Sequence, residues 1–197
     1  MNLTETTSLT SADLPLAEFK AHLRLGTGFA DDGGQDVLLE SCLRAAMGAI
    51  EKRTNKMLLR RRFLWSVYQW RLENGAQALP VSPVSFVLNL ARRSASGGYD
   101  VIATEKYKLL IGEQRSMLQP IGGSLPTIES GGVAEVSFYA GYGSWSQVPA
   151  DLQRAVLMLA ASFYENREAM LGGGGQMPFG VAALLEPYKR IRLGRAT

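Results

Sequence analysis

The hydrophobic period of this sequence changes twice. Between residues 13 and 57 apolar side chains recur at helical spacing, between 58 and 145 they alternate as in strands, and beyond 145 the helical spacing returns. In the middle zone Phe63, Trp65 and Val67 alternate with Leu64, Ser66 and Tyr68, and Val136 and Phe138 alternate with Glu135 and Ser137. Pro80 and Pro83 argue against helix there, because proline lacks the N–H that a helix interior uses. Residues 84–90 are rich in β-formers, residues 107–111 and 116–118 flank a turn as in a hairpin, and glycine pairs at 97–98, 122–123 and 131–132 mark further turns.

The flanking zones read as helices. Pro15 sits where a helix start tolerates it, and Leu16, Phe19 and Leu23 follow at helical spacing. A Gly-rich loop, 26–34, ends that piece, and Asp32 with Gln35 has capping-box spacing for a second helix over 34–54. On it Leu39, Leu43, Ala46 and Ile50 form one apolar stripe, with Leu38, Cys42, Ala45 and Ala49 beside it. Pro149 precedes a helix expected over 150–170, carrying Leu152, Val156, Leu159 and Phe163. Every residue of 155–161 is apolar, so this stretch is expected to be buried all round. A shorter helix is expected over 181–191, with Leu184, Leu185 and Tyr188. The expected fold class is α+β: a helical bundle core formed by both chain ends, 1–57 and 146–197, with a β-rich insertion at 58–145.

The residues offer little to build a catalytic site from. His22 is the only histidine and Cys42 the only cysteine, so no transition-metal set of several N or S ligands can be assembled, and no intrachain disulfide. A serine nucleophile would have only His22 as its base, and no Gly-x-Ser-x-Gly elbow exists. Asp31 and Asp32 precede a helix, where acids favour the dipole. The run Gly172, Gly173, Gly174 and Gly175 follows a helix rather than a strand and is not followed by Lys-Ser/Thr, so it reads as a link and not a phosphate loop. No cofactor is expected. Net charge is +3, too mild to require nucleic acid as a partner. Residues 1–10 lack a leader pattern, and the longest apolar run falls far short of the ~18 residues a membrane-spanning helix needs, so a soluble protein with no membrane partner is expected.

Five stretches taken together resemble the head–tail connector (adaptor) family of tailed bacteriophages and gene transfer agents. They are Leu16-Ala-Glu-Phe-Lys-Ala-His-Leu-Arg-Leu25 with its acidic, Gly-containing loop; Ala45-Ala46 to Ile50-Glu51 followed by Thr54-Asn-Lys-Met-Leu58; Leu79-Pro-Val-Ser-Pro-Val84; Val136-Ser-Phe-Tyr-Ala-Gly-Tyr-Gly143 leading to Val148-Pro149; and Ala155 to Tyr164-Glu-Asn-Arg167. Thr54-Asn-Lys departs from the Thr-Gly-Arg-like turn of the family, and Asn tolerates the left-handed conformation that Gly would supply there.

The resemblance implies a non-enzymatic structural subunit at the head–tail junction of a phage or gene transfer agent particle, present in the host cytoplasm before assembly. It implies a ring, commonly dodecameric, that docks on the portal protein, extends the DNA channel and receives a tail-side stopper or tail terminator protein, with DNA only as cargo. The Gly172–Gly175 run with Lys189, Arg190, Arg192 and Arg195 is the segment expected to dock on the portal. Two rival readings predict different signs. A mildly basic nucleic-acid-binding module needs exposed stacking platforms such as Trp65, Trp70 or Trp145. A carboxylate enzyme that recruits a metal needs a clustered acidic pocket.

Overall fold

The computed structural model describes residues 2–25, 34–112, 114–166 and 177–189. Two compact units divide the chain: one takes Met1–Ser8 and Leu59–Tyr142, the other Leu9–Leu58 and Gly143–Thr197.

The first unit holds two antiparallel sheets. Strands β1 (Asn2–Glu5), β2 (Arg61–Val67), β5 (Val84–Arg93), β6 (Tyr99–Ile102) and β9 (Val133–Ala140) form a sheet ordered β1-β2-β9-β5-β6. Strands β3 (Leu72–Glu73), β4 (Ala76–Ala78), β7 (Tyr107–Leu110) and β8 (Met117–Pro120) form the second, ordered β3-β4-β8-β7. Alternation in β2 buries Phe63, Trp65 and Val67, and the register sets them against Phe138, Val136 and Ala134 of β9, all buried. Phe63 stacks on Phe138 at 5.9 Å, and Trp70 meets Trp65 edge-on at 6.4 Å. The same register splits the Arg60-Arg61-Arg62 triplet. Arg60 and Arg62 are exposed, whereas Arg61 turns inward, pairs with Glu5 at 2.9 Å and lies over the Phe63 ring. After β9 the chain passes Gly141 at φ +124°, where its N–H donates to the Pro83 carbonyl at 2.9 Å and the backbone runs against Leu59.

The second unit holds α1 (Leu16–His22), α2 (Asp36–Thr54), α3 (Ala150–Glu165) and α4 (Phe179–Leu185). On α2, Leu39, Leu43, Ala46 and Ile50 are fully buried, and α3 lies against α2, α1 and α4. The end of α2 is fixed by side chains. Asn55 adopts the left-handed conformation at φ 55° and its N–H donates to the Glu51 carbonyl at 2.8 Å. Thr54 Oγ1 donates to the Ile50 carbonyl and accepts from Lys56 N–H, and Glu51 Oε1 accepts the Leu58 N–H at 2.9 Å. Asn55 N–H fills the Glu51 carbonyl, one of the last four that the helix leaves without an internal partner, while Thr54 Oγ1 and Glu51 Oε1 pair buried backbone N–H groups just past the helix end.

The expected fold class is corrected. The molecule is a β-rich fold built on two antiparallel sheets, not a helical bundle core formed by both chain ends. Four α-helices lie among the described residues, and α1 and α4 have 7 residues each. The N-terminal end supplies an edge strand, because Asn2–Glu5 finds in β2 a partner for its backbone bonds that its own polar pattern does not announce. The all-apolar run 155–161 is also not buried all round: Ala155, Val156, Leu159 and Ala160 are buried, but Leu157, Met158 and Ala161 stay partly exposed. Asp32 of the expected capping box lies outside the described residues, and α2 starts at Asp36 without a side-chain cap.

Candidate assembly surfaces

The side chains most suited to chemistry are placed as structural residues. Cys42 is buried on α2. His22 ends α1 half-buried, and burial, with Arg154 adding to it, lowers its pKa below 6.5. Among the described residues no three of His, Cys, Asp and Glu gather closely enough to hold a metal ion. Trp65 is 1% exposed and Trp70 donates its Nε1–H to the Pro126 carbonyl at 2.7 Å, so these two rings serve the β unit and not a stacking platform. No helix among the described residues is long and apolar enough to cross a membrane.

Of the residues expected to dock on the portal, Gly172, Gly173, Gly174, Gly175, Arg190, Arg192 and Arg195 lie outside the described residues. Lys189 is described. It pairs with Glu186 of the single 3-10 turn that follows α4. Beside it Tyr188 Oη donates to Asp151 Oδ2 of α3 at 3.3 Å, and burial followed by the Asp151 charge raises the phenol above its usual pKa of 10.0. The start of α4 is bare on its apolar side: Phe179 is 89% exposed, while Gly180 brings the helix backbone close to Met158 Cε.

Sequence reasoning misses an exposed apolar surface of the β unit. Residues of the five-stranded sheet that alternate with its buried set share the opposite face. On it Phe86 of β5 stacks flat on its register partner Tyr139 of β9, with centroids 6.1 Å apart and planes inclined by 8°. Arg62 of β2 is the partner of Tyr139 on its other side and is exposed. Toward the β6 edge, Arg93 lies over the Tyr99 ring and pairs with Glu135 at 3.1 Å, and Val101 sits opposite Ala91. Phe86, Tyr99 and Val101 are each more than half exposed, a cost that a folded monomer gains nothing from. Chemically this face is an aromatic and aliphatic centre rimmed by arginines and their carboxylate partners, the composition of a protein-binding surface. A second apolar spot ends β7 on the other sheet, where Leu110 and Ile111 are exposed.

Comparison with solved structures identifies the setting. A chain from the neck of an empty gene transfer agent particle, computed with C6 symmetry, is 43% identical, aligns over 100% of this chain and 99% of its own, and superposes with a TM-score of 0.88. A chain from the neck of the native particle, computed with C12 symmetry, is 38% identical over the same shares, with a TM-score of 0.84. This chain belongs to the head–tail connector (adaptor) family of tailed bacteriophages and gene transfer agents. A chain from the virion of a native gene transfer agent particle matches equally fully, at 43% identity and a TM-score of 0.87. No protein-family model matches the chain, and no curated protein matches it significantly. The family reading accounts for the connector-like stretches of sequence, including the Thr54-Asn55-Lys56 turn. There Asn55 takes the left-handed conformation, φ 55°, that such a turn requires.

Proposed function

We propose that this connector acts as a ring subunit at the head–tail junction of a gene transfer agent or phage particle. In this reading twelve copies dock on the portal protein, extend the channel through which DNA passes as cargo, and receive a tail-side stopper or terminator protein. The observation that carries it is the full-length match at 43% and 38% identity to chains from particle necks computed with C6 and C12 symmetry. Rotational symmetry supports a closed ring, in which each contact joins two different patches of neighbouring copies. The role is structural and needs no catalytic step. The test is to mix the protein with its portal and image the complex by electron microscopy. A ring with twelvefold symmetry on the portal is expected; a complex without rotational symmetry, or no complex, refutes the ring.

Docking is assigned to the Gly172–Gly175 run and the basic residues Lys189, Arg190, Arg192 and Arg195, on the strength of their composition. Cations spaced along a chain end suit an acidic protein face, and their attraction weakens as salt rises. Truncation after Gly172 is expected to abolish portal binding, measured by co-sedimentation. Undiminished binding by the truncated chain overturns this assignment while leaving the ring untouched.

A further inference from the structure

We infer that Asn74 is a site of spontaneous covalent modification, where the side-chain amide is lost through a cyclic imide closed with the backbone nitrogen of Gly75. These two residues link β3 to β4, whose register pairs Glu73 with Ala76. Their φ angles, 51° and 80°, are both left-handed, as a type I′ hairpin turn requires. Three observations single out this asparagine from a residue type that is chemically labile in general. First, its successor has no side chain, and nothing lies within 4 Å of the place where a Gly75 Cβ would stand, so the space beside the attacking nitrogen is open. Asn2, Asn55, Asn89 and Asn166 precede Leu, Lys, Leu and Arg, whose side chains crowd the corresponding nitrogen. Second, Asn74 and Gly75 are both exposed, and among the described residues the Asn74 amide has no hydrogen-bond partner to hold it in place. Third, the hairpin opens at low cost. Strand β3 consists of Leu72 and Glu73 alone, both exposed, and forms the margin of its sheet. Ring closure needs Asn74 to leave the left-handed region so that its Cγ can approach the Gly75 nitrogen, and local opening of a short marginal hairpin permits that excursion.

In the first step the Gly75 nitrogen gives up its proton and bonds to Asn74 Cγ, while the bond from Cγ to the side-chain nitrogen breaks and ammonia departs. Water then opens the imide at either carbonyl. One opening gives aspartate; the other gives isoaspartate, whose main chain runs through Cβ and Cγ. Either product sets a new carboxylate next in sequence to Glu73, whose two oxygens already hold the Arg115 guanidinium. The isoaspartate also lengthens the main chain by a methylene, so the link no longer fits the Glu73–Ala76 pair.

The experiment holds the purified full-length chain at mildly alkaline pH, where the backbone amide loses its proton more readily, and samples it over weeks by isoelectric focusing and by peptide mapping with mass spectrometry. The protein is expected to move toward the acidic side. The peptide that contains Asn74 and Gly75 is expected to gain the mass difference between an acid and an amide and to resolve into aspartate and isoaspartate forms, while the peptides of the other asparagines keep their amides. An Asn74→Gln chain, whose longer side chain would have to close a larger and less favourable ring, is expected to keep its charge under the same treatment. Retention of the Asn74 amide, loss at the other asparagines at the same pace, aspartate without isoaspartate, or an undiminished acidic shift in Asn74→Gln each overturns the inference.

Discussion

Replacing Gly141 by alanine puts a methyl group where the backbone leaves no room. A Cβ built on Gly141 meets the Leu59 carbonyl oxygen at 2.3 Å, its carbon at 2.5 Å and Arg60 Cα at 2.7 Å. All three are backbone atoms in the segment that leads into β2, so none can swing aside as a flexible side chain would. The residue also sits at φ +124°, a region that side-chain-bearing residues rarely adopt. Strain of this kind costs about 1–3 kcal/mol, and forcing extra atoms into filled space about as much again. The sum, roughly 4 kcal/mol, corresponds to a fall in Tm of about 8–16 °C for a chain of this length. Gly122→Ala supplies the contrast. It has φ +69° but no neighbouring atom within 4 Å, so only the backbone penalty of about 1–2 kcal/mol applies, a fall of about 2–8 °C. Thermal unfolding followed by circular dichroism measures both. If the two variants unfold at the same temperature, the close approach of Gly141 to Leu59 is not what fixes that glycine.

Glu51→Ala removes the acceptor of the buried Leu58 N–H and is expected to cost about 1–3 kcal/mol in urea unfolding, whereas Glu51→Gln retains an acceptor oxygen; equal losses from the two would refute the role of this bond. His22 is held below its usual pKa, so the unfolded chain binds the proton more readily, and stability complete above pH 6.5 declines as pH falls below it. A His22→Gln variant should flatten that decline, and an NMR titration midpoint above 6.5 would contradict it. Tyr188 is shifted the other way and keeps its proton beyond pH 10.0 in the folded state. Its contribution to stability is therefore complete below 10.0 and lost as pH rises through the raised pKa, and Asp151→Asn should move the spectrophotometric titration of Tyr188 back toward 10.0.

Patterns that report a residue's own surroundings were legible in the sequence. The stripe Leu39, Leu43, Ala46 and Ile50 is buried on α2, and the alternation of Phe63, Trp65 and Val67 is buried in β2, because in each case one element presents one face to a core. Features that depend on a distant partner were not. Asn2–Glu5 becomes a strand because β2 pairs with it across more than fifty residues of sequence. The aromatic sheet face is hidden for a related reason. Pairing between β5 and β9 slips at Val84/Phe86 and again at Val87/Asn89, so the face on which Phe86 emerges follows from register shifts that no alternation rule announces. Zone lengths also misled the fold class, since helices α1 and α4 are short and the sheets dominate the architecture. The family stretches were readable because they are helix caps and apolar spacings, whose chemistry is local.

The backbone crosses between the two units three times, after Ser8, Leu58 and Tyr142. A single proteolytic nick at any one of these crossings therefore frees neither unit, because each remains joined to the other through the two that are left. The order of synthesis is also unequal. The strand Asn2–Glu5 leaves the ribosome before its partner β2, which begins only at Arg61, so β1 waits through the whole of α1 and α2 before it can pair. Until then the growing chain exposes a strand with no partner, and β2, once made, keeps an open edge if the first residues are trimmed away. Removal of Asn2–Glu5 would thus move the open edge of the sheet from the short, polar β1 to the longer β2, whose alternate side chains are apolar.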